Sequence, residues 1–259
     1  NSNKDAIAAG LQALMVWGMR VGVEFAELFE DRQLSNDCKA AEKKLVKAAS
    51  KVYKKFLASC PAPDAPGSKQ VTALMTITGL IDAPKADKEF LSINGAQGFS
   101  TFYGYYMLEA MAMAGNYQGA LDVIREYWGA MIDLGATSFW EDFDINWIPN
   151  AAPIDELVPE GKKDIHGDCG AYCYVGFRHS LCHGWASGPT SWLSRHILGV
   201  EVIEPGCRQV RITPHLGDLQ WVKGTFPTPY GELQIYHEKQ ANGNVISEVK
   251  APKGVSVIK

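Results

Sequence analysis

Charge of one sign is missing from this chain: 25 Lys plus Arg stand against 29 Asp plus Glu, a net of −4 over 259 residues. With no basic run interleaved with stacking aromatics, nothing draws a polyanion, and nucleic acid is not an expected partner. Also missing is a run of roughly 18 consecutive apolar residues, the length a membrane span needs, and Asn1-Ser2-Asn3-Lys4 opens no secretory signal. No membrane partner is expected, although a signal removed earlier would leave no trace. The six cysteines are too few for a disulfide scaffold and fit either redox compartment. The Gly-rich stretch "NGAQGFSTFYGYY" (94–106) has neither the Lys of a P-loop nor a leading strand. "GWASG" precedes a helix without a strand before it, so no elbow presents a nucleophilic Ser. No cofactor is expected.

What is present is a globular composition, 46% hydrophobic and 21% charged, able to bury a core. Apolar residues recur at helical spacing over 5–30 and 37–57, the second stretch carrying Lys39, Lys43, Lys44, Lys47, Lys51, Lys54 and Lys55 on its solvated side. "CPAPDAPG" (60–67) reads as a loop, followed by a helix over 68–80. Helices over 100–114 and 117–134 are joined by Gly115-Asn116, a connection that makes them an antiparallel hairpin. Gly135 sits where a C-terminal cap belongs. An irregular stretch from 139 to about 189 precedes a last helix over 190–198. Beyond Gly199 the pattern alternates apolar with polar, as strands do. The expected architecture is therefore mainly α, a helical body over 1–199 followed by an antiparallel β unit over 200–259.

"GATSFWEDFDINW" (135–147) sets Glu141, Asp142 and Asp144 among Phe139, Trp140, Phe143 and Trp147. An acid pressed against rings loses hydration, which raises its pKa and suits proton transfer, while flat indole faces suit sugar rings. The alternative is that the rings fill core and the acids face water. A second cluster, "RHSLCHGWASGPTSW" (178–192), places His183 and Trp185 just before a helix, where they could share a mouth with Glu141. Taken alone, His183 reads first as a structural histidine, and its place beside Trp185 is what brings the functional reading forward. His166, Cys169, Cys173, His179, Cys182 and His183 crowd within eighteen residues, yet lack paired C-x-x-C ligands. No metal is expected there; a disulfide or buried thiols fit better.

"GFSTFYGYYMLEAMAMAGNYQGALDVIREYWGAMIDLGATSFWEDF" (98–143) and "SLCHGWASGPTSWLSRHILGV" (180–200) together resemble the α-L-rhamnosidases of glycoside hydrolase family 78. So does "CRQVRITPHLGDLQWVKGTFPTPYGELQIYHEK" (207–239), and the likeness runs from about Gly10 onward. The resemblance implies an (α/α)6 barrel followed by a β-sandwich, and inverting hydrolysis of a terminal α-L-rhamnosyl linkage on a rhamnose-containing glycan. It implies Glu141 as general base and His183 as a sugar contact, with Trp140 and Trp185 as subsite walls. Asp144 is a further substrate-binding candidate; with Asp142, Asp164 and Asp168, which could contact sugar or merely cap loops, it ranks below Glu141 and His183.

The family's general acid, a Glu in an Asp- and Arg-rich motif early in the barrel, has no counterpart in residues 1–100. About six helices, or three hairpins, stand where the ring needs twelve. The chain is therefore expected to be the C-terminal part of a longer enzyme, holding the second half of the barrel. It should be inactive alone, and should pair with its missing N-terminal half or with itself. Export to the periplasm or medium of a bacterium fits the type. Two rival readings remain: an (α/α)6 glycosidase or lyase acting on another sugar, and a noncatalytic carbohydrate-binding piece.

Overall fold

In a computed structural model, residues 4–59, 62–63, 67–164 and 179–258 are described. Helices α1 (Lys4–Leu28) and α2 (Arg32–Ser59) pack along their length as a hairpin. Asp31 ends the turn between them and caps α2, its carboxylate accepting the Leu34 N–H at 2.9 Å. The inward face of α1 is small, Ala6, Ala9 and Ala13, which lets Ala49, Tyr53 and Phe56 of α2 and Val71, Leu74 and Met75 of α3 (Ser68–Ile77) close against it. By length and composition α1 is long and apolar enough to cross a membrane, although polar residues interrupt its apolar run. Its packing against α2 and α3 gives it the bland role of a core-flanking helix.

The sequence reading missed α4 (residues 83–91), an α turn that passes into a π turn. Asp82 caps it by accepting the Lys85 N–H at 3.0 Å, and Pro84 lies in its first turn. Helix α5 (Gly104–Met113) begins four residues later than expected. Helix α6 (residues 117–133) contains a second π turn at Ile124–Trp128, and α7 (residues 188–197) ends in a third. The α5–α6 connection is closed by Asn116, whose side chain accepts the Gly119 N–H at 2.9 Å. These seven helical segments exceed the six expected because α4 is short enough to escape a periodicity test.

The main core is built from α5, α6 and α7. Met107, Leu108 and Met111 meet Tyr127, Trp128 and Trp192, with Trp140 and Phe143 closing the cluster. The Trp192 indole donates to the Leu108 carbonyl at 3.0 Å, and the Trp128 indole to the Ala186 carbonyl at 3.0 Å. Each bond offsets the hydration its indole N–H loses on burial.

Strands begin with a two-residue parallel pair, β1 (Ala151–Ala152) with β2 (Lys163–Asp164). Beyond α7 come two three-stranded sheets. In one, β3 (Val200–Val202) pairs antiparallel with β4 (Gln209–Ile212), and β4 pairs with β8 (Ser256–Ile258). The β4–β8 pairing is parallel, which corrects the expectation of a purely antiparallel unit; returning from β7 in the other sheet, the chain enters β8 in the same direction as β4. The other sheet is an antiparallel meander of β5 (Trp221–Thr228), β6 (Gly231–Lys239) and β7 (Val245–Lys250). Val200, Val210 and Ile212 of the first sheet share one apolar cluster with Leu233 and Ile235 of the second.

The join between helices and strands is tight. Gly199 has φ 74°, and a Cβ there would lie 2.4 Å from the backbone carbon of Thr213. Only glycine fits such a turn without displacing the neighbouring chain. His215 stacks on Tyr117 with ring centroids 3.7 Å apart, and buried His237 contacts the Leu198 carbonyl through Nε2 at 3.1 Å.

Candidate functional site

Two segments forty residues apart meet at the site. Past Gly135, whose φ of 91° ends α6, the chain extends through 138–141 and runs beside 180–183. The Glu141 N–H donates to the Ser180 carbonyl at 2.8 Å, and the His183 N–H to the Phe139 carbonyl at 2.7 Å. The Ser138 hydroxyl donates to the Leu181 carbonyl. Main-chain bonds thus set His183 and Glu141 on adjacent segments, irrespective of the side chains between them.

Trp140 and Glu141 are neighbours in sequence but differ in burial. Trp140 is fully buried, packed edge-to-face with Phe143 at 6.0 Å. It is therefore core and not the open wall expected of it. Phe143 is likewise buried, and its carbonyl accepts the Tyr127 hydroxyl. Burial, reinforced by the charges of Asp142 and Asp144, raises the Tyr127 phenol well above its usual value.

Glu141 is half-buried, and its Oε2 accepts the Ser180 N–H at 3.0 Å, a charge-assisted bond that fixes the carboxylate. Its own carbonyl accepts two side-chain donors, the Thr101 hydroxyl at 2.6 Å and the Trp185 indole N–H at 2.7 Å. Trp185 is 46% exposed, and its ring lies 4.4 Å from His183 and 5.7 Å from Phe102. Thr101, Ser180 and Phe102 were not singled out in the sequence, because hydroxyls and rings acting through backbone contacts leave no spacing signal.

The neighbouring acids divide by environment. Burial raises the Asp142 carboxyl above its ordinary value; the Phe143 N–H and His179 oppose that rise, and the charges of Asp144 and Glu141 add to it. The Asp142 N–H donates to His179 Nε2 at 3.1 Å, which puts the proton of a neutral His179 ring on Nδ1. Asp144 is exposed and caps a short turn, its Oδ1 accepting the Asn146 N–H at 2.9 Å and the Asn146 amide at 2.8 Å. It is held by its own loop. Asp164 lies in β2, whereas His166, Asp168, Cys169 and Cys173 fall outside the described residues. Among the described residues Cys38, Cys182 and Cys207 are free thiols, and no group of three or more His, Cys, Asp or Glu side chains could hold a metal.

A hollow of about 900 Å³ opens beside this centre, between α5, α7 and the first strands of the β unit. Trp185 and Phe102 form its near end, while neither Glu141 nor His183 lines it.

Residues 199–258 match the family model of the bacterial alpha-L-rhamnosidase C-terminal domain. Nearly the whole chain shares its fold with solved structures of rhamnosidases. The GH78 family rhamnosidase of Bacillus sp. GL1 is 22% identical with a TM-score of 0.69 over 93% of this chain, but only 25% of its own length is covered. The α-L-rhamnosidase of Aspergillus terreus is 17% identical with a TM-score of 0.68, over 95% of this chain and 27% of its own. That of Streptomyces avermitilis, complexed with L-rhamnose, is 17% identical with a TM-score of 0.65, over 95% and 22%. No curated protein sequence matches the chain. The chain thus spans about a quarter of the structures it resembles. Its likeness to the family 78 α-L-rhamnosidases, as a C-terminal part of such an enzyme, rests on a family model over the β unit and on fold over almost all the rest.

Proposed function

We propose that this chain is part of an inverting glycoside hydrolase that removes terminal α-L-rhamnose from glycans. In this reading residues 1–199 supply the second half of an (α/α)6 barrel and residues 200–259 its terminal β domain. The observation that carries it is the Glu141 carboxylate, held by the Ser180 N–H on a segment whose next residues bring His183 and a half-exposed Trp185 alongside. Glu141 acts as general base, drawing a proton from the water that attacks the anomeric carbon. His183 and Trp185 contact the sugar. The general acid, which protonates the leaving oxygen, comes from the remainder of the enzyme; inverting pairs stand roughly 6.5–9.5 Å apart to admit the water.

The apolar face of α1 supports a missing partner. Ile7, Leu11, Met15, Phe25 and Leu28 are exposed, and every Å² of such surface left in water costs roughly 25 cal/mol. The chain alone should accordingly self-associate and turn over no aryl α-L-rhamnoside. In covalent continuity with the rest of the barrel it should hydrolyse that substrate with β-L-rhamnose as first product, read by NMR. Glu141→Gln should then lower turnover about 10²–10⁴-fold. Robust turnover by the isolated chain would overturn the division of the barrel, and an α-anomer as first product would overturn the inverting mechanism.

A further inference from the structure

The 900 Å³ hollow beside Trp185 is of the size of a ligand site, and its walls are of two kinds. One is aromatic: Phe102, 40% exposed, lies 5.7 Å from Trp185 and 5.7 Å from Tyr106, which in turn lies 5.5 Å from Tyr105. The other is the start of α7, where hydroxyls recur. Ser187 donates to the Gly184 carbonyl at 2.7 Å, Ser191 to Gly188 at 3.0 Å and Ser194 to Thr190 at 3.0 Å. Each hydroxyl proton is thus committed to its own backbone, so what each oxygen offers a ligand is an acceptor. A ligand rich in hydroxyl donors and apolar C–H faces matches such a pair of walls.

Charge narrows the class. Among the described residues, the two charged side chains that line the hollow both have a partner of opposite charge, Arg195 in Glu109 at 3.8 Å and Glu201 in Arg211 at 2.7 Å. Among the described residues an anionic sugar or phosphate would find no cation here without a carboxylate partner. The hydroxyl-bearing side of α7 also differs from the apolar face of α1: its exposed residues Thr190, Ser191 and Arg195 are polar. The groove is continuous with the candidate centre through Trp185, whose indole holds the Glu141 carbonyl.

We propose that this groove is the leaving-group side of the site and takes a neutral oligosaccharide, so that a rhamnose-tipped glycan chain is preferred over a small aryl or alkyl rhamnoside. This rests on the function proposed above. Calorimetric or NMR titration of the 259-residue chain with L-rhamnose, and with neutral tetrasaccharides that do and do not end in rhamnose, tests it. The rhamnose-tipped tetrasaccharide should bind about tenfold more tightly than L-rhamnose. Ser191→Arg, which plugs the groove at an exposed helix position, should abolish that gain without changing the affinity for L-rhamnose or the thermal midpoint. Arg195→Ala should halve the gain or more.

Equal affinities for the two ligands, no binding of any tetrasaccharide, or a parallel loss of both affinities in Ser191→Arg would each overturn the groove. So would protection of the amides of 187–195 when the chain self-associates without sugar, since protein would then be the occupant. If the tetrasaccharide lacking rhamnose binds as well as the other and Ser191→Arg removes it, while L-rhamnose does not bind, the groove stands and the rhamnosidase reading falls. Binding of L-rhamnose with no gain from the longer chain sinks the groove alone.

Discussion

In the α5–α6 hairpin the large apolar side chains Met107, Leu108, Met111, Tyr127 and Trp128 are buried. In α1 the buried positions are Ala6, Ala9, Gly10, Ala13, Val16 and Ala26, while Ile7, Leu11, Met15, Phe25 and Leu28 stand exposed. One region has filled its surroundings with bulk; the other lets its neighbours approach closely on one side and holds its bulk outward on the other. The difference teaches that α5 and α6 bury most of their bulk within this chain, only Met113 and Ile132 among their described large apolar residues standing exposed, whereas α1 presents a face suited to a further surface.

Trp192→Ala would break the first half of that comparison most severely. It empties a fully buried site and strips the Leu108 carbonyl of its donor, so it should lower unfolding free energy by about 3–5 kcal/mol in denaturant titration. Gly199→Ala acts at the join, forcing a methyl into the backbone of Thr213 from a left-handed conformation. A loss of about 1–3 kcal/mol is expected, and an unchanged midpoint would show that the helix–strand join can shift.

Acid should act next. Burial holds His237 and His215 below the ordinary histidine value of 6.5, His215 being lowered further by His196. Their neutral forms are favoured in the fold, so their contribution is complete above about pH 6.5 and is lost as pH falls toward their folded values. The thermal midpoint should fall between pH 7 and pH 5, and His237→Gln should flatten that slope. Least of all, Leu11→Gln on the open face of α1 should change stability by no more than about 0.5 kcal/mol, yet reduce self-association by sedimentation. A large destabilisation there would mean that the face is already covered.

Much of this was written in local pattern. The ranges of α1 and α6 follow closely from 3.6-residue spacing, whereas α2 begins five residues earlier and α3 ends three residues sooner than that spacing indicates; Asn116 with Gly115 marks the α5–α6 turn in plain sequence. Helix α4 had its signals too, Asp82 as cap and Pro84 in the first turn, but four α residues passing into a π turn are too few to show periodicity. The π turns at 87–91, 124–128 and 193–197 each insert a residue that no spacing rule anticipates. At the site, sequence brought Glu141, His183 and Trp185 to attention through their motifs. It could not tell which ring of "SFWEDF" faces inward, because that depends on pairing with 180–183, and so Trp140 was assigned an open role it does not have. The parallel β4–β8 pairing depended on long-range register in the same way.

Trp185 combines a ring nearly half bathed in solvent with an N–H locked onto the Glu141 carbonyl. Its indole proton should therefore exchange with heavy water far more slowly than the wetness of the ring suggests, and quicken whenever the acid-bearing loop pulls away. The residue is in that sense a built-in reporter, from which the integrity of the centre can be followed without any substrate at all.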